Sequence, residues 1–235
     1  MERLKIFVGW DPRFSEAYHV AVKSLLHCSP GIKANQISPV CLFALDAAGL
    51  YTRPTSVTPD GNLWDEISEA PMSTEFAISR FFVPYLSGFE GWSLFLDSDF
   101  VFRADIADLE QYLDESKAFV CVKHDQQATD GVKMDGQTQT DYPRKNWSSF
   151  MLINNGHPAV KAMYGSLNRW PGRLLHAFAD LPDDRIGELP AEWNWLEGYS
   201  DPTLDPKAIH YTRGTPDVKG YEDVPFADYW RQFTR

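Results

Sequence analysis

Residues 93–102 read Ser-Leu-Phe-Leu-Asp-Ser-Asp-Phe-Val-Phe and place two carboxylates, Asp97 and Asp99, one residue apart. The apolar run before them begins at Trp92 and has the length of a buried strand. Two carboxylates this close repel each other away from water, unless a cation or a shared proton compensates. Asp and Ser are also common turn residues, but the apolar residues on both sides are unusual for a surface turn. The stretch therefore favours a strand that ends in a cation-binding turn.

The rest of the chain alternates predicted strands with predicted helices. Short apolar runs predict strands at residues 6–10, 38–45, 92–96, 118–122 and 149–153. Apolar residues at helical spacing, with caps at Asp11 and Asp105, predict helices at residues 11–29, 74–86, 105–113 and 158–170. Residues 51–73 are polar and contain prolines, so we expect a connection there. The alternation predicts an α/β fold with a mostly parallel central sheet flanked by helices, and ligands beyond the carboxyl ends of its strands.

The composition indicates one compact domain over residues 1–235. The chain is 43% hydrophobic, which is enough to bury a sizeable core. Its formal net charge is -11, with acidic and basic residues interspersed, which argues against a nucleic-acid partner. No apolar run approaches the length of a membrane span. Cys28, Cys41 and Cys121 lack the spacing of a disulfide framework or a zinc site, so we expect a reducing, cytoplasmic location.

The Asp-Ser-Asp turn is suited to a divalent metal ion. Carboxylate oxygens are ligands that Mg²⁺ and Mn²⁺ prefer in proteins. Such ions commonly take one or two carboxylates from the protein and the remaining ligands from substrate phosphates and water. A substrate that contains a diphosphate is therefore expected.

Three functions are compatible with this turn. In a glycosyltransferase, the metal ion would bridge the protein and a sugar nucleotide. In a haloacid-dehalogenase-type phosphatase, Asp97 would be the nucleophile and Asp99 the general acid, with Lys161 and the pair Asp183-Asp184 as later partners. That motif is expected near the N-terminus, whereas a long stretch of strand and helix precedes Asp97. The third function is a non-catalytic sugar-binding or nucleotide-binding module, since one fold can host binding or catalysis.

Several segments, in order along the chain, resemble one known family. They are Ile6-Phe-Val-Gly-Trp-Asp, Arg80-Phe-Phe-Val-Pro-Tyr-Leu, Leu94-Phe-Leu-Asp-Ser-Asp, Phe150-Met-Leu-Ile-Asn, Leu189-Pro-Ala-Glu-Trp-Asn and Ile209-His-Tyr-Thr-Arg-Gly. Together they resemble the nucleotide-diphospho-sugar transferase (GT-A) fold, and most of all glycosyltransferase family 8, the glycogenin and lipopolysaccharide galactosyltransferase group. The resemblance implies a retaining, metal-dependent hexosyltransferase with a UDP-sugar donor and a glycan or other hydroxyl acceptor. It also implies a nucleotide-binding half at residues 1–123 and an acceptor and donor-sugar half at residues 124–235.

The resemblance further implies a metal site with three protein ligands. The family's D-x-D aspartates, matched here by Asp97 and Asp99, bind Mn²⁺, for which Mg²⁺ is the alternative. The third ligand is a histidine in an H-x-x-G-x-x-K-like motif, matched by His210, Gly214 and Lys219 with altered spacing. A neutral imidazole is a good Mn²⁺ ligand, although a lone histidine is often only a satisfied core residue.

The donor contacts that the resemblance implies are Gly9, Trp10, Asp11, Arg80, Ser98, Arg213, Gly214 and Lys219. The first three follow the first strand, where the family binds uridine, and Trp10 could also stack on the base. Lys219 or Arg213 would meet the leaving diphosphate, as a point charge or as a bidentate guanidinium. Arg80 would contact donor phosphate or sugar, or could instead pair with Glu75 or Glu66.

Contacts with the donor sugar and the acceptor are expected in the second half of the chain. The candidates are Trp147, Ser148, Ser149, Trp193 and Asn194. The first three stand where the family has an Asn-Ala/Ser-Gly triplet, which leaves the donor sugar open. The two tryptophans could stack on sugar faces, although most tryptophans serve a core.

No catalytic base emerges from the sequence. The family often has an Asp-Gln pair, and the nearest counterparts here are Asp183 and Asp184, either of which could reach the acceptor or donor sugar. Residues 125–146 form a long polar segment, which we predict to close over the bound donor and exclude water.

Overall fold

The computed structural model of this chain describes residues 4–59, 61–124 and 144–235. Most of the polar segment predicted to act as a lid, residues 125–143, lies outside these ranges. Across the described ranges, no helix is both long enough and apolar enough to cross a membrane.

The described secondary structure alternates between strands and helices, as the sequence predicts. The strands are β1 (Leu4–Trp10), β2 (Ile37–Cys41), β3 (Thr55–Val57), β4 (Leu63–Asp65), β5 (Ala70–Met72), β6 (Trp92–Leu96), β7 (Phe100–Phe102), β8 (Phe119–Cys121), β9 (Phe150–Asn154), β10 (Ile186–Glu188), β11 (Trp195–Leu196) and β12 (Ala208–His210). The α-helices are α1 (Ser15–Cys28), α2 (Leu42–Ala47), α3 (Phe76–Ser79), α4 (Val83–Leu86), α5 (Pro158–Tyr164), α6 (Gly172–His176) and α7 (Ala227–Arg231). Short 3-10 helices cover Pro12–Phe14, Ala34–Gln36, Arg80–Phe82, Ile106–Tyr112, Trp147–Ser149, Asp183–Arg185 and Ala191–Asn194.

Six strands form a central sheet in the order β10-β8-β9-β6-β1-β2. β1 pairs in parallel with β2 and β6, and β8 pairs in parallel with β10. β9 runs antiparallel to both of its neighbours, β6 and β8. The predicted α/β fold with a mostly parallel sheet is therefore confirmed. Because β9 is reversed, its amino end lies beside the carboxyl end of β6.

The sheet is buried on both faces, which explains the continuous apolar run before the two aspartates. Along β1 and β6, successive side chains point to opposite faces. Ile6 and Leu94 enter one apolar cluster with residues of α1, whereas Phe7 and Phe95 enter a second cluster with residues of α3. Burying a side chain of this size contributes about 1.5–3 kcal/mol through its removal from water. Two-sided burial thus fixes where β6 ends and the turn begins.

A second, three-stranded sheet brings the C-terminal region to that turn. Its order is β11-β12-β7, with β12 antiparallel to β7 and parallel to β11. The register places His210 opposite Phe100, the residue that follows Asp99. This pairing carries a residue from far along the chain to the end of β6.

A third sheet forms within residues 51–73, for which the sequence predicts only a connection. β3, β4 and β5 pair antiparallel, and each is three residues long, too short to show an apolar period. A buried ion pair between Arg53 and Asp65 holds this sheet together. Arg53 Nη1 also donates to the carbonyls of Leu167 and Trp170, at 2.5 and 2.8 Å, and so anchors the small sheet to the segment before α6.

Several predicted elements are shorter than the sequence patterns suggest. β2 ends at Cys41, and residues 42–47 form α2 instead of continuing the strand to residue 45. The helix predicted at residues 74–86 is divided into α3, a 3-10 turn and α4, with Pro84, which has no amide hydrogen, in the first turn of α4. The helix predicted at residues 105–113 is a 3-10 helix, capped as expected by Asp105. α5 ends before Gly165 rather than at residue 170.

We predict that Gly9→Ala lowers the free energy of unfolding by about 1–3 kcal/mol, the usual cost of overpacking a core. A Cβ at position 9 would lie 2.5 Å from the ring carbon Cγ of Phe76, which is itself buried. Urea unfolding followed by circular dichroism measures the change. Gly156→Ala is the control, because its Cβ would approach a carbonyl oxygen no closer than 3.4 Å. Equal stability of the two variants would contradict the packing assigned to Gly9.

Candidate active site

The turn Asp97-Ser98-Asp99 forms the floor of the site, between β6 and β7. Leu96 at the end of β6 pairs with Phe150 at the start of β9, so the residue before β9 lies next to the turn. The Asp97 amide donates to the Ser149 carbonyl at 2.9 Å and fixes the turn against β9. The reversed strand thus supplies the backbone partner of the first aspartate.

His210 reaches the same floor from β12. Its ring stacks on that of Phe100, with centroids 4.4 Å apart, and the next amide, that of Tyr211, donates to the Asp99 carbonyl at 2.9 Å. These contacts place His210 Nε2 3.3 Å from Asp99 Oδ1. One potential ligand atom each from Asp97, Asp99 and His210 lies within 4.8 Å of the others. The structure therefore brings the three predicted metal ligands together.

Asn194 holds the His210 ring from behind. Asn194 is fully buried, and its side-chain nitrogen donates to Ser149 Oγ at 3.0 Å, which assigns its oxygen to the side facing His210. That oxygen lies 3.0 Å from His210 Nδ1, so Nδ1 carries the proton of the neutral ring. Nε2 is then left with a lone pair that faces Asp99. This tautomer is the one that a metal-binding histidine needs.

Arg80 pairs with Asp97 and not with the alternatives Glu75 or Glu66. Its Nη1 lies 2.8 Å from Asp97 Oδ1, and the same nitrogen donates to the Ser148 carbonyl at 2.8 Å. The Arg80 Nε donates to the Phe76 carbonyl one helical turn earlier, at 3.1 Å. Because Arg80 is buried, its position is fixed by these three partners.

The floor of the site is costly for free negative charge. Desolvation raises the pKa of Asp97 to about 6; the Asp99 charge adds to this increase, whereas Arg80 opposes it. Desolvation also works against ionisation of Asp99, but the contact with His210, whose ring lowers the pKa when it is protonated, together with a backbone hydrogen bond and the charge of Arg80, places the pKa of Asp99 below its usual value. The surroundings thus accept the charge of Asp99 only with a cationic partner nearby, and a bound cation would remove the penalty on both groups.

The residues present fit a divalent metal ion. Oδ1 of Asp97 and Oδ1 of Asp99 are buried, and within the described parts of the chain neither accepts a well-directed hydrogen bond, although Arg80 Nη1 lies 2.8 Å from the first and His210 Nε2 lies 3.3 Å from the second. Buried polar atoms in native structures normally have a well-directed partner, so these two carboxylate oxygens beside an imidazole suit a cation that binds all three groups. Two carboxylate oxygens and one imidazole nitrogen are a donor set that Mn²⁺ accepts.

A pocket of about 390 Å³ opens above this floor. Seven of the residues predicted from the sequence line it, namely Arg80, Asp97, Ser98, Asp99, Ser148, Ser149 and His210. Residues that the sequence analysis missed also line it, including Phe14, Ala17, Asp65, Thr74, Lys145, Arg173, His176, Thr212 and Thr215. No motif marks these residues, because only the fold brings α1, the small sheet and α6 to one opening.

The fold and this site can be compared with known proteins. No protein-family model matches the chain. Protein CDI of Arabidopsis thaliana is 43% identical over 232 residues, which cover 96% of this chain and 84% of the relative. This chain belongs to the Protein CDI family.

Solved structures similar to this CDI-family chain are glycosyltransferases. GlyE of Streptococcus pneumoniae aligns with a TM-score of 0.60 at 15% identity, over 98% of this chain and 59% of GlyE. The galactosyltransferase LgtC, solved with donor and acceptor sugar analogues, aligns with a TM-score of 0.57 at 12% identity, over 97% of this chain and 94% of LgtC. The bifunctional glycosyltransferase WbbM gives 0.57 at 15% identity, over 99% of this chain but 52% of WbbM. The chain thus spans little more than half of GlyE and of WbbM, and the comparison establishes its GT-A fold.

The three residues expected to contact uridine serve the packing around β1 in this CDI-family structure, and none of them lines the pocket. Gly9 lies against the Phe76 ring, and the Trp10 ring meets that of Tyr18 edge-on at 4.9 Å. Asp11 is fully buried and caps the following 3-10 helix through the Arg13 amide at 2.9 Å. It also accepts the Glu75 amide at 3.0 Å, which ties the end of β1 to the start of α3.

Two predicted sugar contacts lie behind the pocket. Trp193 is fully buried in the core beside Phe150, so it presents no face on which a sugar could stack. Asn194 lies behind His210, as described above. Trp147 is half-buried, donates through Nε1 to the His124 carbonyl at 3.0 Å, and does not line the pocket.

The cations and acids predicted near the C-terminal motif also lie outside the pocket lining. Arg213 forms an ion pair with the buried Glu197 at 2.5 Å, and Gly214 lies against the Tyr221 ring. Lys219 is exposed. Asp183 and Asp184 are exposed in the 3-10 helix before β10, and Asp183 pairs with Arg144 at 2.6 Å. This helix precedes the amino end of the edge strand β10, whereas the Asp97 turn follows the carboxyl end of β6. The structure does not bring these two aspartates to the floor of the site.

We predict that Asn194→Ala lowers the affinity for Mn²⁺ by about 10–100-fold, because His210 loses the acceptor that fixes its tautomer and ring orientation. Calorimetric titration of MnCl₂ measures the affinity, and circular dichroism checks that the variant is folded. Asn168→Ala is the control: the Asn168 side chain also makes two hydrogen bonds, here to the backbone at Thr52 and Leu50, away from the pocket. Wild-type Mn²⁺ affinity in folded Asn194→Ala would show that this contact does not orient His210.

Proposed function

We propose that this CDI-family chain is a metal-dependent glycosyltransferase that moves a hexose from a UDP-sugar to a hydroxyl group of a glycan or other acceptor, with retention of the anomeric configuration. The observation that carries the proposal is the group Asp97, Asp99 and His210 at the floor of an open pocket. Its position after a central strand of the sheet, where ligands bind in open α/β sheets, supports a role in substrate binding. The GT-A fold and the likeness to GlyE and LgtC support glycosyl transfer as the reaction.

The three ligands would hold Mn²⁺ or Mg²⁺, which supplies positive charge to a diphosphate when it is bound. Asn194 accepts from His210 Nδ1, so that in the neutral ring Nε2 would be free to bind the ion. Arg80 holds Asp97 in place and adds a fixed positive charge beside the first ligand. Such preorganised charge stabilises a leaving diphosphate without any reorganisation during the reaction. Arg80, rather than Arg213 or Lys219, is the predicted cation that the fold brings next to the metal ligands.

The remaining walls suit a nucleotide sugar. Phe14 and Ala17 offer apolar surface, and Thr74, Thr212 and Thr215 offer hydroxyl groups around the same opening. Pockets for small substrates are usually apolar with a few polar groups that fix orientation. The choice of UDP, and of retention, follows from the resemblance to family 8. Ser148 and Ser149, in place of that family's triplet, line the pocket on the side of Arg80 and are proposed to contact the donor sugar.

The carboxylate that remains in the described lining, Asp65, is engaged elsewhere. It is buried in the ion pair with Arg53 and accepts a hydrogen bond from the Ser68 amide at 3.0 Å. This supports a reaction in which charge stabilisation at the leaving group, and not a protein carboxylate nucleophile, accounts for catalysis. The phosphatase alternative, with Asp97 as nucleophile, is disfavoured because Asp97 is engaged in the ion pair with Arg80 and follows a long stretch of strand and helix, whereas that motif is expected near the N-terminus.

Two further expectations complete the proposal. The chain would act as one domain, with residues 1–123 binding the nucleotide and residues 124–235 binding the acceptor and donor sugar. Cys28, Cys41 and Cys121 are all free, which supports a reducing, cytoplasmic location.

The test is the binding of UDP with and without Mn²⁺. We expect wild-type protein to bind UDP only with the metal ion, and Asp99→Ala to lose this binding by more than the roughly 10–100-fold expected for a residue that only supports a metal ligand. Isothermal calorimetry measures both affinities. Asp205→Ala is the matched control, because Asp205 is an exposed carboxylate whose ion pair with Arg103 lies outside the pocket.

Turnover separates the remaining alternatives. Transfer or slow hydrolysis of a UDP-hexose, followed by proton NMR of the released anomer, supports the glycosyltransferase and reports retention or inversion. Metal-dependent UDP binding with no turnover of any UDP-sugar would instead indicate a binding module. Phosphate release from monoesters without a nucleotide requirement would indicate the phosphatase and overturn the proposal.

A further inference from the structure

α6 forms one wall of the pocket. Arg173 and His176 are three residues apart, so they lie on one face of this short helix, and both line the pocket. The helix is held close to the small sheet by the Gly172 amide, which donates to Ser68 Oγ at 2.8 Å. A Cβ at Gly172 would lie 2.7 Å from Ile78 Cδ1, so a larger residue there would displace the end of the Ile78 side chain on α3. We call Arg173 and His176 the α6 wall.

Ser148 connects the α6 wall to Arg80, which in turn contacts the candidate metal ligand Asp97. His176 Nδ1 lies 2.7 Å from Ser148 Oγ, and the Ser148 carbonyl accepts from Arg80 Nη1 at 2.8 Å. Arg80 in turn contacts Asp97 at 2.8 Å. A diphosphate bound at Asp97, Asp99 and His210 would lie beside Arg80, and the α6 wall is one contact further away, through Ser148.

Arg173 differs from the other arginines of the described ranges. Eight of those form ion pairs with carboxylates: Arg13, Arg53, Arg80, Arg103, Arg144, Arg213, Arg231 and Arg235. Arg169 and Arg185 donate to main-chain carbonyls. Arg173 makes neither kind of contact with the part of the chain that the structure describes.

A guanidinium without a carboxylate partner is notable in a chain whose net charge is -11. Acidic side chains are abundant here, and almost every other described arginine has one as its partner. Among the described residues, the arginine without such a partner lies on a pocket wall, where its five donors in a planar fork match a carboxylate or phosphate group. Lys145, which is 7% exposed, lines the same pocket and adds a further positive charge to those of Arg80 and Arg173.

We propose that the α6 wall binds a second anionic group of the substrates, a carboxylate or phosphate carried by the donor sugar or by the acceptor, separate from the diphosphate. This inference rests on the proposed function and specifies the chemistry of its substrate. Arg173 supplies the bidentate contact and His176, fixed by Ser148, lies beside it. The wall therefore selects a charged substrate over the neutral sugar of the same shape.

The experiment has two arms, both with the full chain and saturating Mn²⁺. The donor arm compares the affinities of UDP-glucuronic acid and UDP-glucose. The acceptor arm compares glucose 6-phosphate and glucose as ligands of protein saturated with UDP. In one arm we expect the anionic probe to bind about tenfold to a hundredfold tighter than its neutral counterpart, as for a hydrogen bond to a charged partner. The arm that shows the preference identifies the substrate that carries the anion.

Variants connect the preference to Arg173. Arg173→Gln should remove it and Arg173→Glu should reverse it, and Arg173→Gln should lower the affinity for UDP itself far less than the affinity for the anionic probe. Arg169→Gln is the matched control, since Arg169 is an exposed arginine four residues earlier that does not line the pocket. It should retain the full preference.

The outcomes against the inference are distinct from those against the proposed function. Wild-type protein that binds UDP but prefers neither anionic probe overturns the inference alone. Loss of UDP affinity in Arg173→Gln, comparable to its loss of the anionic probe, overturns it by assigning the guanidinium to the diphosphate. Failure of wild-type protein to bind UDP with Mn²⁺ overturns the proposed function and this inference together.

Discussion

Repulsion between the carboxylates of Asp97 and Asp99 is the constraint around which the pocket floor is organised. Each side chain has a buried oxygen that accepts no well-directed hydrogen bond in the described structure. The fold offsets part of this cost with Arg80 beside Asp97, and His210 beside Asp99 offsets more only when its ring is protonated. The remaining imbalance favours a cation. The need of the two carboxylates for a cation thus accounts both for the neighbours that the fold gives them and for the metal ion in the proposed function.

Each compensating group comes from a different part of the chain and depends on a different piece of topology. The reversal of β9 brings Ser149 to the Asp97 amide, and the antiparallel pairing of β12 with β7 brings His210 to Asp99. Asn194 then connects Ser149 and His210, because its side chain donates to the first and accepts from the second. Loss of either of these two strand pairings would therefore remove a partner of the aspartates, and no residue near them in the sequence could replace it.

The sequence predicts the candidate metal ligands, and the structure brings them together, because they lie in motifs whose chemistry is local or matched by a family pattern. The alternation of strands and helices is equally visible in the sequence, because buried strands such as β6 are continuous apolar runs and differ clearly from the helical spacing between them. The pocket walls were not predictable in the same way. The three-residue strands β3 to β5 have no readable period, and Arg173 and His176 occur in no motif. The sequence predicts sugar contacts at Trp193 and Asn194, whereas the structure places Trp193 in the core and Asn194 behind His210. Sequence alone cannot show on which side of the pocket floor such residues lie.

The anchor formed by Arg53 also bears on how the molecule can move. This side chain joins Asp65, in the first half of the chain, to the carbonyls of Leu167 and Trp170 in the second half. Removing one member of such a buried pair usually costs about 3–5 kcal/mol, because it leaves a charge uncompensated. One buried side chain thus joins the two halves at the rim of the pocket and opposes a hinge between them there. Discrimination between substrates would then depend on the side chains that line the opening more than on movement of one half against the other.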